Sequence, residues 1–348
     1  MERILGNSVK KIFVTGGAGF IGSHVVDQLV SQGYQVCAYD NLSNGRREYI
    51  SAHCGKPNFK FINDDILNVD CLRKSLNGYD LVWHLAANTD IIGGAQNPRR
   101  DLNDCVVGTF NVLEAMRLNG IKLLFFSSTG AVYGELCHDT PVAEDAGPLL
   151  PVSTYAAGKI GSEAFISAFC HLYGIHAWIF RFGNVVGGRM THGVIYDFIN
   201  KLRANPAELL IKGDGRQEKN YFLVEECIDG MGWAFRNIPM SDETPCDIFN
   251  LGTTSVSKVT DIAAMIKTEM RLSKTEIIIE GTKRAWPGDQ PRVHITVSRM
   301  KKLGWVTRHT SDEAVRIAAR RILNSGSKFK DPEHCSNTPL GQETFINE

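Results

Sequence analysis

Six short apolar runs, KKIFVTGG, YQVCAYDN, NFKFINDD, YDLVWHLAA, IKLLFFSS and IHAWIFRFGNVVG, recur along the first 186 residues, each bounded by small or polar residues. Their β-branched and aromatic content is that of buried strands. Between them the spacing predicts helices over 20–32, 66–77, 99–119 and 153–173; in the first, Val25, Val26, Leu29 and Val30 share one face. Strand and helix in alternation imply a parallel sheet, because parallel neighbours need a long crossover and the crossovers cover both faces. Right-handed crossovers make this an α/β, Rossmann-type doubly wound fold.

After Val186 the rhythm changes. GDGRQEKN, NIPMSDETP and RAWPGDQP are loop-rich, so residues 1–186 are expected to form the first domain and 187–323 mainly a smaller C-terminal lobe. Segments near 220–252, NYFLVEECIDGM and DIFNLG, are expected to return to the first domain. VTDIAAMIKTEM and SDEAVRIAARRIL read as amphipathic helices, and 324–348 as a polar, flexible tail.

Thirty-eight basic residues balance thirty-eight acidic ones without a long block of either sign, so neither nucleic acid nor a membrane surface is an expected partner. MERILGNSVKK is too polar for a secretory leader, and no run of about 18 apolar residues supplies a membrane span. The expectation is a cytoplasmic protein. Nine cysteines without a CxxC pair fit reduced thiols, and His334 beside Cys335 lacks a second ligand pair, so no metal is expected.

VTGGAGFIG places Gly16, Gly19 and Gly22, with Phe20 and Ile21 between them, after a strand and at the opening of a helix. There the backbone must turn tightly, admit a pyrophosphate and aim helix N–H groups at its charge. Asp40, ending the second strand, suits a ribose 2′-hydroxyl and repels a 2′-phosphate, which favours NAD over NADP although Arg46 and Arg47 are close. Asp65 and Ile66 follow the third strand, where an adenine would meet them. Leu85, Ala86 and Ala87 end the fourth, where small side chains let a cofactor lie on backbone.

Tyr155 and Lys159, in TYAAGKIGSEAF, are spaced to share a helix face. Bringing a tyrosine from its ordinary pKa of about 10 to about 7 takes roughly 4 kcal/mol. A neighbouring ammonium and a positive nicotinamide ring are the two expected sources, after which Tyr155 accepts an alcohol proton.

TGGAGFIGSH, YDNLSNG, HLAA, GTFNVLEA, SSTGAVYGE, YAAGK, RFGNVVG and a late PGD together resemble the extended short-chain dehydrogenase/reductase family, in its nucleotide-sugar epimerase and dehydratase branch, across about residues 10–323. The resemblance implies NAD in the first domain and a nucleoside-diphosphate sugar in the second. It adds Asn41, Leu42, Ser43, Asn44, Gly45, Thr89 and Asp104 to the cofactor site. It makes Thr129 the catalytic hydroxyl beside Tyr155 and Lys159, and implies substrate contacts from Thr129, Asn184, Lys219 and Arg292. Tyr133 receives no catalytic role. The family's dehydratases carry Asp-Glu after the hydroxyl residue; here Gly130 and Ala131 supply neither acid nor base. C4 epimerisation remains, UDP-glucose/UDP-galactose being the commonest substrate pair beside acetamido or uronic-acid analogues, with a simple NAD-dependent dehydrogenase or reductase, a 4,6-dehydratase or a non-catalytic regulator as alternatives. Cys105 replaces a family Asn, Lys219 a diphosphate Arg, and Trp286 a second one, for which Arg292 or Arg284 is expected to substitute. Helices 99–119 and 153–173 resemble those that pair subunits, implying a homodimer.

Overall fold

A computed structural model describes residues 3–137, 140–241, 243–282, 284–286 and 288–325. The six expected strands form β1 (Lys11–Thr15), β2 (Gln35–Tyr39), β3 (Phe59–Ile62), β4 (Leu81–His84), β5 (Leu123–Thr129) and β6 (His176–Phe182). Short strands β7 (Asn184–Val186), β8 (Glu208–Ile211), β9 (Glu218–Lys219) and β10 (Tyr221–Leu223) follow, then β11 (Cys246–Leu251), β12 (Ser257–Lys258), β13 (Glu276–Ile279) and β14 (Arg292–Val293). The seven-stranded sheet runs β11-β6-β5-β4-β1-β2-β3, every pair parallel. DIFNLG thus returns to the main sheet as its edge strand β11.

The helices are α1 (Phe20–Ser31), α2 (Val69–Ser75), α3 (Ile91–Gln96), α4 (Pro98–Asp101), α5 (Gly108–Leu118), α6 (Thr154–Tyr173), α7 (Val194–Ala204), α8 (Val224–Asn237), α9 (Val259–Glu269), α10 (Ser298–Lys302) and α11 (Ser311–Ser325). Alternate residues of the central strands feed two cores. Ile12, Val14, Trp83, Phe125 and Phe180 pack with Val25, Leu29 and Val26 of α1 and Cys227, Ile228 and Met231 of α8. Phe13, Val82, Leu124, Phe126 and Ile179 pack with Leu72 of α2, Val112 and Met116 of α5 and Ile166 and Phe169 of α6. The two-residue period of a strand, buried on both sides, produces this division. A third core joins α7, α9 and α11 through Ile199, Ile266 and Val315.

Two helices differ from their expected spans. The stretch 99–119 is broken by a π-helical segment, Leu102–Val107, whose wider turn leaves the Cys105 carbonyl to accept from Ser162 Oγ at 3.0 Å. The helix expected from residue 66 begins at Val69, because Asp65 Oδ1 accepts from Leu67 N and Asn68 caps the first turn by accepting from Cys71 N. Cys54 is disulfide-bonded, so the expectation of reduced thiols fails there; Cys37, Cys71, Cys105, Cys170, Cys227 and Cys246 are free. The tail expected at 324–348 falls, from residue 326, outside the described residues. Among the described residues, no helix is long and apolar enough to cross a membrane and no cluster of His, Cys, Asp or Glu is suited to a metal.

Candidate active site

The glycine loop between β1 and α1 lies at the carboxyl edge of the sheet. Gly16 sits at φ +67°, and a Cβ there would lie 2.8 Å from Ala86 N; one on Gly22 would lie 2.0 Å from Gly16 O. Only hydrogen fits at these positions, and Gly19, the N-cap of α1, has no side-chain cap over the helix's first N–H groups. A pyrophosphate is the group such a terminus accepts. Phe20 and Ile21 form its first turn.

Asp40 is 7% exposed, and its carboxylate already serves the loop: Oδ2 accepts from Ala18 N at 2.9 Å and Oδ1 from Leu42 N at 2.8 Å. Burial pushes this carboxyl above its ordinary range while backbone donors at Leu42, Ala18 and Gly19 oppose the rise. Asp40 is therefore a brace for the cradle as well as the expected ribose acceptor. Gly45 passes so near that a Cβ would sit 2.6 Å from Asp40 Oδ1. Asn41 Nδ2 donates to Asp65 Oδ2 at 2.8 Å and Asn41 Oδ1 accepts from Ser43 N, so the expected adenosine side is one hydrogen-bonded rim; Ser43 and Asn44 are exposed on it. Ile66 is buried against Gly108, and Asp104 pairs with Arg100 at 3.5 Å. Leu85 N and Ala86 N both donate to Thr15 Oγ1; Leu85, Ala86 and Ala87 are half-buried and Thr89 is exposed. These residues fit a dinucleotide.

Thr129 ends β5 and Tyr155 opens α6, where Ser153 Oγ caps the helix by accepting from Ala156 N at 3.2 Å. Tyr155 is hydrogen-bonded to Thr129. Lys159, one turn on and 2% exposed, donates to Ser127 O at 2.7 Å and lies 4.7 Å from the Phe126 ring centre. Thr129, Tyr155 and Lys159 thus lie together where β5 ends and α6 begins. Burial pushes the Tyr155 hydroxyl upward, with Cys105 and Asp101 adding to the rise and only the Thr129 hydrogen bond opposing it. Burial also lowers Lys159. Cys105, at the position of the family Asn, is buried beside Lys159 and Gly158.

Thr129 shares a cleft with Ala131, Ser153, Asn184, Lys219 and Trp286. Lys219 meets Asp289 at 3.4 Å and lies 5.8 Å from the Trp286 ring centre. Arg292 does not line the cleft; it is largely exposed and faces Glu218 at 3.7 Å, because its strand turns Val293 inward instead. Arg284 is likewise engaged, pairing with Glu135 at 2.5 Å. Lys219 is the cation that the cleft presents among the candidates. A Cβ on Gly130 would meet Val293 Cγ1 at 3.0 Å and Ile295 Cγ2 at 3.3 Å, so a larger residue there would press on these two side chains.

Sequence reasoning missed the groups that hold this site. Asp101, 1% exposed, accepts from Asn88 Nδ2 at 2.7 Å and Thr154 Oγ1 at 2.6 Å, anchoring the start of α6. Gln290 Nε2 donates to the carbonyls of Ala131 and Gly134, tying the turn after β5 to the segment before β14. Neither belongs to a local pattern. Tyr133 is fully buried and structural, its hydroxyl donating to Asn250 Oδ1 at 2.7 Å.

A parallel sheet with a pyrophosphate cradle at its carboxyl edge, and a tyrosine, lysine and threonine beside it, defines a dinucleotide-dependent enzyme of alcohol chemistry. Residues 12–252 match the model of the NAD dependent epimerase/dehydratase family. The chain belongs to that family, and NAD is the cofactor its cradle fits. It is 34% identical over 321 residues to a putative UDP-glucose 4-epimerase of Methanocaldococcus jannaschii, covering 90% of this chain and 97% of that protein. A crystal structure of a UDP-galactose 4-epimerase is similar with a TM-score of 0.81 and 36% identity, over 90% of this chain and 99% of that one. A Thermotoga maritima UDP-glucose 4-epimerase crystallised with UDP-glucose superposes with a TM-score of 0.80 at 29% identity, over 90% and 99% of the two chains.

Proposed function

We propose that the protein is a UDP-sugar 4-epimerase interconverting UDP-glucose and UDP-galactose by transient oxidation to a 4-keto sugar. The observation that carries this is a hydroxyl pair, Thr129 and Tyr155, beside two positions, Gly130 and Ala131, that supply no dehydratase carboxylate. The similar proteins described as UDP-glucose and UDP-galactose 4-epimerases support it.

Thr129 Oγ1 orients the sugar's C4 hydroxyl, and Tyr155 takes its proton and later returns it. NAD, held by the Gly16–Gly22 loop and the Asp40–Asp65 rim, supplies the hydride acceptor and donor when bound. Tyr155 is a base only once cationic surroundings offset the burial that holds its phenol protonated. Lys159 contributes its charge from the next turn. Lys219 and Asn184 grip the substrate across the cleft, Lys219 as a point charge without the fork of an arginine.

The active form is a homodimer. Phe110 of α5 and Phe165 of α6 stack edge to face at 5.6 Å while each stays about two-fifths exposed, an apolar ridge suited to a second copy.

Purified protein given UDP-galactose, without added NAD, is expected to yield UDP-glucose with no build-up of NADH absorbance. Stoichiometric NADH accumulation with an oxidised sugar would mark a dehydrogenase instead.

A further inference from the structure

Tyr155 and Lys159 continue at the same spacing to Glu163, which the proposed chemistry leaves unused. Glu163 is 7% exposed and Arg181 of β6 is 3% exposed. Arg181 grips the carboxylate with both edges of its fork, Nε to Oε1 at 3.1 Å and Nη2 to Oε2 at 2.6 Å. Ser128 Oγ donates to the same carboxylate at 2.5 Å. Ser128 and Arg181 are register partners in adjacent strands, and Asn250 of β11 is the partner of Arg181 on the far side. The three form a polar row across β5, β6 and β11.

This row reaches the whole site. Lys159 is tied to the Ser127 carbonyl, Glu163 to the Ser128 hydroxyl and Tyr155 to Thr129. Three successive residues at the end of β5 are thereby each fastened to one of three turns of α6. Outward, Arg181 Nη1 donates to Tyr133 Oη and to Glu144 O, both at 3.0 Å. Asn250 Nδ2 donates to the carbonyls of Val142 and Thr296, pinning the point where the catalytic loop meets the lobe.

A buried ion pair is costly to form and is seldom the best filling for a core. Here it does something that an apolar filling cannot. It gives Ser128 an acceptor of fixed position, and it sets a negative charge one turn beyond Lys159. The titratable groups facing Lys159 are His84 from β4, Cys105 from the π-helical segment and Glu163 from its own helix, on which Tyr155 lies one turn before; Arg181 faces Glu163 from β6. Burial lowers Lys159, while Cys105 and then Glu163 favour the ammonium.

We propose that Glu163, held by Arg181, is a positioning residue: through Ser128 it sets the place of Thr129 against Tyr155, and its carboxylate fixes a negative charge one turn beyond Lys159. This rests on the assignment of Thr129, Tyr155 and Lys159 as the catalytic set, so Tyr155→Phe is the control.

The test compares steady-state turnover of UDP-galactose and its pH profile in holoenzyme variants. Ser128→Ala is expected to lower kcat about tenfold with KM within about twofold, since it disturbs placement and not substrate binding. Glu163→Gln is expected to lower kcat similarly and to move the alkaline limb of the kcat profile down by at least about half a pH unit, because it leaves the Arg181 charge uncompensated near Lys159. The double variant Glu163→Gln/Arg181→Met removes both charges, so the limb returns while kcat stays low. Unchanged kcat in Ser128→Ala and Glu163→Gln, with Tyr155→Phe inactive, would overturn the proposal. Should Glu163→Gln fail to fold, unchanged turnover in Ser128→Ala alone overturns it. A fully active Tyr155→Phe would instead remove the catalytic assignment beneath it.

Discussion

His84 is wholly buried, its Nδ1 2.7 Å from Thr15 Oγ1 and its Nε2 3.0 Å from Thr109 Oγ1. Burial first, and the Lys159 ammonium second, lower its pKa from 6.5 to about 3. The folded chain keeps this imidazole neutral, while the unfolded chain takes up a proton below pH 6.5. Stability is therefore complete above that pH and falls toward pH 3 with a slope of up to about 1.4 kcal/mol per pH unit. His84→Gln is expected to melt lower at neutral pH and to show a flatter acid limb of Tm against pH; an unaltered slope in melts from pH 7 to about pH 4 would contradict this. The residue illustrates what single positions reveal. Tyr155 and Lys159 announce themselves by spacing, whereas the partners of His84 lie 69 and 25 residues away along the chain and share no motif with it.

At the scale of elements, β1, the glycine loop and α1 were legible because each demand is local: an apolar run, a tight turn, a helix without a cap over its first amides. Gly16 carries the clearest consequence. Alanine there would suffer both the left-handed backbone and the contact with Ala86 N, so Gly16→Ala should cost about 1–3 kcal/mol and empty the cofactor cradle. Melting curves and the nucleotide released on denaturation would show a lower Tm and little NAD; full NAD content would refute the assignment of the loop. The π-helical segment was not legible. Its apolar spacing through 99–119 is that of one helix, and the wider turn follows from the meeting with Ser162 on another element.

At the scale of the molecule, the ridge on α5 and α6 predicts association. Phe165→Arg places a charge where two copies would bury the ring, so the variant should sediment as a monomer while retaining its fold by circular dichroism. A dimeric Phe165→Arg would place the interface elsewhere. By itself the sequence determined the parallel sheet and the glycine cradle and set Tyr155 and Lys159 on one helix face, because periodicity, glycine placement and helical spacing act within a few residues of one another; the place of Thr129 was implied by the family resemblance. Only the tertiary structure decided which cation faces the cleft and how Glu163 and Arg181 pair beneath the site. Those depend on where β14 turns its side chains and on cross-strand register, which the chain acquires when distant segments pack.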